Sequence, residues 1–238
     1  THRVLEPYRF TSPPRVTVHG AIPTQADATN ANVRFTVRGR DFSYWRFRTG
    51  EIAGDLHWQG KTLVITNVTA GFYGGLLGWS GTFDFDDDEN ARFGFRARFQ
   101  NTDLAALMKD IHSPTNHLEG RLDGNLVITD AHSEDRATWQ GYGNARITDG
   151  SLWNIPIFGF VSSLLDKVSP ELGRSQATAA SATFTINEGK IDTPDLEVRA
   201  PALRLHYTGT VDLHGNLNAT VEAEPLRDAW AVGRVVSF

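Results

Sequence analysis

The residues whose types and spacing come nearest to chemistry lie between positions 71 and 117 of this 238-residue chain. Gly71, Gly74, Gly75, Gly78 and Gly81 recur about three residues apart, the density of a phosphate-binding loop. Such a loop works because a strand delivers it and a helix follows, so that backbone amides at the helix start meet the anion. Here TFDFD, a strand pattern, follows Gly81, and the glycine spacing fits neither the dinucleotide nor the nucleoside-triphosphate template. The segment therefore reads as a turn or bulge between strands. Ser80 in GWSG lacks the strand-to-helix elbow that exposes a nucleophile, because a strand follows it too. Asp84 and Asp86 alternate onto one wet side of a strand, where water tolerates like charges and leaves pKa values near normal. Counted as a calcium loop from Asp84, the sixth and twelfth places are Glu89 and Phe95 rather than Gly and Glu, so DFDDDEN reads as a hairpin tip. His112 and His117 are the closest of eight scattered histidines and do not form a zinc spacing. These patterns predict a non-enzyme with no catalytic residues, no metal and no cofactor.

Composition narrows the partners. Without cysteine the chain has no disulfide, iron–sulfur cluster, thiolate zinc site or cysteine nucleophile. A net charge of −5 and arginines spread along strands provide no basic field for nucleic acid. No run of about 18 apolar residues and no charged, hydrophobic leader follow Thr1, so the stretch carries neither a spanning helix nor an export signal. Its abrupt ends, THRVLEP and VGRVVSF, read as those of a piece cut from a longer chain.

The elements that must carry any site follow a rhythm of two. Residues 1–14, with three prolines, form an extended lead-in, and 15–238 form a single module. Val33, Phe35 and Val37 alternate with Arg34, Thr36 and Arg38. The pattern repeats through Leu63/Ile65, Phe83/Phe85, Phe93/Phe95/Phe99, Leu126/Ile128, Phe184/Ile186, Leu196/Val198, Leu203/Leu205/Tyr207 and Leu217/Ala219/Val221. Alternation of this kind belongs to antiparallel strands with one covered and one wet face. Arg92, Arg96, Arg98, Thr183, Thr185, Glu197, Arg199, Arg204 and His206 fall on the wet side. Two stretches break the rhythm. NTDLAALMKDIH sets Leu104, Leu107, Met108 and Ile111 at helical spacing, with Asn101 or Thr102 as cap, and IPIFGFVSSLLDKV sets Ile157, Phe160, Val161, Leu164, Leu165 and Val168 on one stripe behind Pro156. PLRDAWAVGRVV begins a third helical pattern. Residues 63–86, 126–150 and 196–215 are weakly self-similar, each a strand, a spacer and a Gly-containing strand, as in a sheet enlarged by adding similar units.

GFYGGLLGWSGTFDFD, FRARFQNTDLAALM, LEGRLDGNLVI, GYGNARITDGSLWNIPIFGFVSSLLDKV and ATFTINEGKIDTPDLEVRAPALRLHYTGTVDLHG occur in an order that resembles the C-terminal region of AsmA-like proteins, over roughly residues 50–230. The resemblance implies a long curled antiparallel sheet forming a groove, open like a taco, with two or three short amphipathic helices. It also implies a periplasmic envelope protein tethered in the inner membrane by an N-terminal anchor, moving phospholipid toward the outer membrane alongside envelope protein partners. A strand of about seven residues spans roughly 23 Å, the scale of an acyl chain, and each buried methylene is worth about 0.8 kcal/mol. Phe35, Val37, Phe83, Phe85, Phe93, Phe95, Leu126, Ile128, Phe160, Leu164, Leu203 and Leu205 are the expected lining. The apolar face has two readings from sequence: a trough for a phospholipid or other acyl lipid, or a core closed by a second sheet or the helices. The alternative function is a β-sandwich binding or scaffold module for carbohydrate or protein, with Trp45, Trp58, Trp79, Trp139 and Tyr73 as stacking platforms.

Overall fold

The computed structural model describes residues 8–21, 31–44, 46–85, 90–111, 118–152, 177–201, 203–212, 216–225 and 235–237. They are mainly strand: β1 (Tyr8–Phe10), β2 (Arg15–Ala21), β3 (Asn32–Gly39), β4 (Phe42–Tyr44), β5 (Phe47–Arg48), β6 (Ile52–Gln59), β7 (Thr62–Phe72), β8 (Gly75–Phe85) and β9 (Ala91–Asp103). After helix α1 (Leu104–Ile111) come β10 (Glu119–His132), β11 (Gln140–Ser151), β12 (Ala179–Asn187), β13 (Lys190–Ala200), β14 (Leu203–Asp212), β15 (Leu217–Pro225) and β16 (Val235–Ser237). Thirteen strands form one antiparallel sheet in the order β16-β15-β14-β13-β12-β11-β10-β9-β8-β7-β6-β3-β2. The order has two ends and does not close into a barrel. The lead-in contributes β1, which pairs with β4 in a separate three-stranded sheet β1-β4-β5, where the Phe10 and Phe42 rings meet at 4.8 Å.

The glycine-rich stretch is the expected turn. Tyr73 and Gly74 both have positive φ, 46° and 75°, and join Phe72 to Gly75, which face each other in the ladder. Positive φ at both central residues is the two-residue hairpin turn whose twist matches that of strands. Glu188 and Gly189 repeat it between β12 and β13. The three self-similar segments are β7–β8, the end of β10 with β11, and β13–β14, each a pair of neighbouring strands. Alternation therefore recorded hairpins.

Among the described residues α1 is the single α-helix. It buries Leu104 and Leu107. Its cap is Asp103, whose carboxylate accepts from the Ala106 amide at 3.1 Å, and not Asn101 or Thr102. β9 continues through Asp103, and Thr102 is a fully buried strand residue, so the first residue free to turn its side chain back on the helix start is the next one. The expected helices at 157–168 and after 225 lie outside the described residues.

The chain divides into two compact units: 1–102 with 125–141, and 103–124 with 142–238. The second has a closed, mostly aliphatic core, with Leu152, Ala177, Val198, Leu203, Leu205 and Tyr207 at 0–2% exposure. The Tyr207 phenol has its pKa raised by burial.

Candidate functional site

The site is built on the first unit, from residues that register places on one face. Across β2, β3, β6, β7, β8 and β9, ladder partners run Val18, Phe35, Leu56, Ile65, Gly81, Phe95. The adjacent row runs Gly20, Val33, Trp58, Leu63, Phe83, Phe93. Directly paired residues share a face, so these rows are contiguous apolar strips. Six strands at about 4.8 Å spacing make each strip about 24 Å wide.

Aromatic rings cover the β8–β9 end of the strips. Trp58 stacks on Phe85 at 5.3 Å, Phe83 on Phe93 at 5.5 Å, and Phe93 lies parallel to Phe95 at 6.3 Å. Trp79 bridges Phe83 and Phe95, each at 6.2 Å, and Trp139 meets Phe93 edge-on at 5.6 Å. Gly81 leaves the space that Trp79 occupies, since a Cβ there would stand 2.9 Å from the indole. Two indoles are fixed by their polar ends. Trp58 Nε1 donates to the Gly60 carbonyl at 2.8 Å and Trp139 Nε1 to the His132 carbonyl at 3.4 Å. Trp139 follows a 3-10 turn, Arg136–Thr138, begun by Asp135, whose carboxylate accepts from the Ala137 amide at 2.8 Å.

All seven rings are half-buried. Leaving such rings partly in water forfeits part of the burial gain, about 25 cal/mol per Å².

The wet face behaves differently. Arg92 holds Asp130 through two bonds, 2.6 and 2.9 Å, which lower the Asp130 pKa. Asp55 accepts from Asn67 Nδ2 at 3.2 Å and Thr36 Oγ1 at 3.0 Å, and its pKa is lowered by those bonds. A shallow depression of about 600 Å³ lies over Val64, Ser80, Thr82, Gly94 and Arg96. Ser80 stands mid-strand opposite Arg96, and Asp84 accepts from Thr62 Oγ1 at 2.7 Å. Among the described residues no three His, Asp or Glu side chains converge as a metal site.

Of the expected lining, Phe35, Phe83, Phe85, Phe93 and Phe95 come together in the strips and the ring cluster, and Val37 lies on the same face, opposite Val16 and Gly54. Leu126 is half-buried and Ile128 buried in the same unit. Leu203 and Leu205 are not part of this surface: they are closed core of the second unit. Phe160 and Leu164 lie outside the described residues. Leu56, Trp58, Leu63, Ile65, Trp79 and Trp139 belong to the face and were not counted as lining. The signal was available for five of them, because Leu56/Trp58, Leu63/Ile65 and Trp79/Phe83/Phe85 alternate. Trp139 needed the tertiary structure. Comparison with protein-family models, with curated proteins and with solved structures returns no match.

Proposed function

We propose that the first unit shelters the acyl chains of a phospholipid or similar lipid on its aromatic face, while the headgroup stays in water. The observation that supports this is the half-buried cluster of Trp58, Trp79, Phe83, Phe85, Phe93, Phe95 and Trp139, set on strips about as wide as an extended acyl chain is long. At about 0.8 kcal/mol per methylene, an ordinary acyl chain gains on the order of 10 kcal/mol by leaving water completely, and this gain, in the proportion the face covers, is what drives binding. The protein acts by binding and release, without bond chemistry or cofactor. The resemblance to AsmA-like proteins extends the proposal: a periplasmic module of the cell envelope, held to the inner membrane through an anchor elsewhere in the parent chain, carrying lipid toward the outer membrane with envelope protein partners and without nucleic acid.

The carbohydrate alternative is less well supported, since Trp58 and Trp79 pack into phenylalanine rings rather than standing as free platforms. Native mass spectrometry of the purified protein should show co-purifying phospholipid, and a fluorescent fatty-acid analogue should bind. Phe93→Asp should weaken that binding by about tenfold or more, the cost of placing a charge against an acyl chain. A wild-type protein that carries no lipid and excludes the analogue removes the proposal.

A further inference from the structure

Arginines that the sequence scatters are gathered by the ladder. Across β2, β3, β6, β7, β8 and β9, one row of partners runs Arg15, Arg38, Ala53, Thr69, Gly78, Arg98. Arg34 lies on the same side in β3, and Arg92 and Arg96 in β9. Apart from Asp103, the cap of α1, the charged residues of these six strands are those six arginines and two aspartates, Asp55 and Asp84. All of them stand on the side away from the aromatic strips, because their ladder partners do. In a chain of net charge −5, this side is positive. All six arginines are exposed. Arg92 is held by Asp130, and Arg38 lies in the field of Asp55. Among the described residues Arg15, Arg34, Arg96 and Arg98 have no carboxylate within ion-pair distance. Arg15 and Arg38 are direct ladder partners, an opposition of like charges that weakens a sheet and that a bound anion relieves.

We propose that this arginine side of the first unit docks on an anionic phospholipid bilayer, with guanidinium groups on the lipid phosphates and Leu76 in the acyl boundary below them. Charge complementarity calls for a polyanion, and two features choose among polyanions. No Phe, Tyr or Trp stands on this side of the six strands, so the stacking platforms that hold single-stranded nucleic acid are missing. Leu76, at 59%, is the most exposed large hydrophobic side chain among the described residues. It stands on this same side, opposite Gln100 and two residues from Gly78, the partner of Arg98. A leucine beside guanidinium groups gains nothing on a polynucleotide or a free phosphate. Under a layer of lipid phosphates it enters hydrocarbon, as the apolar residues of interfacial elements do. Ala53, Thr69 and Gly78, between Arg38 and Arg98, are small, so the long arginines are the first groups to meet a surface. A strand added beyond β2 in a longer chain would extend this side without covering it. The docking does not depend on acyl chains occupying the aromatic face.

Vesicles of phosphatidylcholine with about 30% phosphatidylglycerol should sediment the protein at about 50 mM salt, and binding should fall about tenfold or more at about 500 mM as the charges are screened. Pure phosphatidylcholine, which offers the same acyl chains without net charge, should bind about tenfold more weakly or worse. Arg34→Gln, Arg96→Gln and Arg98→Gln together should weaken vesicle binding about a hundredfold, each arginine being worth about fivefold. That variant should keep the wild-type circular dichroism spectrum and bind the fluorescent fatty-acid analogue as the wild type does, so failure of docking and failure of acyl-chain binding are read separately. A charge-matched variant of the second unit, Lys109→Gln with Arg146→Gln and Lys190→Gln, should lose less than about threefold. Leu76→Ser should weaken vesicle binding about fivefold and leave its salt dependence unchanged. A wild type that ignores anionic vesicles, or binds phosphatidylcholine equally well, overturns the proposal. Equal losses in the two triple variants overturn it too, by showing attraction through net charge alone. A DNA duplex of about 20 base pairs bound more tightly than the vesicles, with Leu76→Ser unaffected, would replace the bilayer by a polynucleotide.

Discussion

The two units share one alternating pattern and treat their apolar faces in opposite ways. In the second unit, β13 and β14 set Val198 opposite Leu205, and both have no exposed surface. In the first, β8 and β9 set Phe83 opposite Phe93, and both remain half-buried. Aliphatic side chains interdigitate into a filled core close to crystal density. Rings laid flat along a sheet pack edge and face against each other and leave an outer surface. The comparison separates residues that hold the fold from residues available to a ligand.

The largest test of that separation is truncation on each side. Leu205→Ala should cost about 2–5 kcal/mol, since it removes fully buried atoms and leaves a cavity. Phe95→Ala should cost about 1–2 kcal/mol, because part of that ring is already in water, while weakening lipid-analogue binding that Leu205→Ala leaves unchanged in the folded fraction. Urea unfolding read beside analogue titration distinguishes them. Equal stability losses would erase the difference between the units.

A smaller effect sits on the second unit's wet side. Pro194 interrupts β13, and the register shifts there between Ser181 and Thr185 of its partner strand. Asp195 fills the gap, accepting from the Thr183 amide at 2.7 Å and its hydroxyl at 2.8 Å, while Thr193 Oγ1 donates to the Thr183 carbonyl at 2.8 Å. Asp195→Ala should destabilise by about 1–2 kcal/mol, the loss of charged-acceptor bonds at a site that water reaches, and should raise hydrogen exchange at Thr183 first. No change in either would mean that the bulge is held by its backbone alone.

The smallest effect is acid sensitivity. Glu197 has its pKa lowered chiefly by its hydrogen bond to Arg199, with Arg204 and His206 adding charge. Asp130 is lowered by Arg92 and Asp55 by Asn67 and Thr36. A carboxylate whose folded pKa is depressed binds its proton more readily when unfolded. Its stabilisation is therefore present above the unfolded value, about 4, and lost as pH falls through the lower folded value. Thermal unfolding should be flat from neutral pH to about pH 5 and fall steeply below about pH 4. Glu197→Gln should flatten that acid limb more than Asp130→Asn, because the Glu197 side chain is 17% exposed against 36% for Asp130. The reverse order would place the acid-sensitive pairing in the first unit.

Much of this architecture was legible in the order of residues. Alternation in VRFTVRG and ARFGFRARF identifies strands because the pleat turns successive side chains to opposite faces. The run from Gly71 to Gly75 identifies a turn because only unstrained positive φ closes so short a hairpin. The cap on α1 was missed by one residue, since where β9 ends depends on Thr102 being buried by its neighbours. In β7 the register with β8 shifts between Ile65 and Val68, where Asn67 has a φ of 54°, and this bulge was invisible because it satisfies a backbone need and not a periodicity.

The sequence by itself determined that the chain makes antiparallel strands with one oily and one wet side, because that choice is local to each pleat. Only the tertiary structure decided which oily side chains close on one another and which keep a free surface. LRLHY and RFGFR alternate alike, but packing density is a property of what lies across the face, and neither strand carries that information alone.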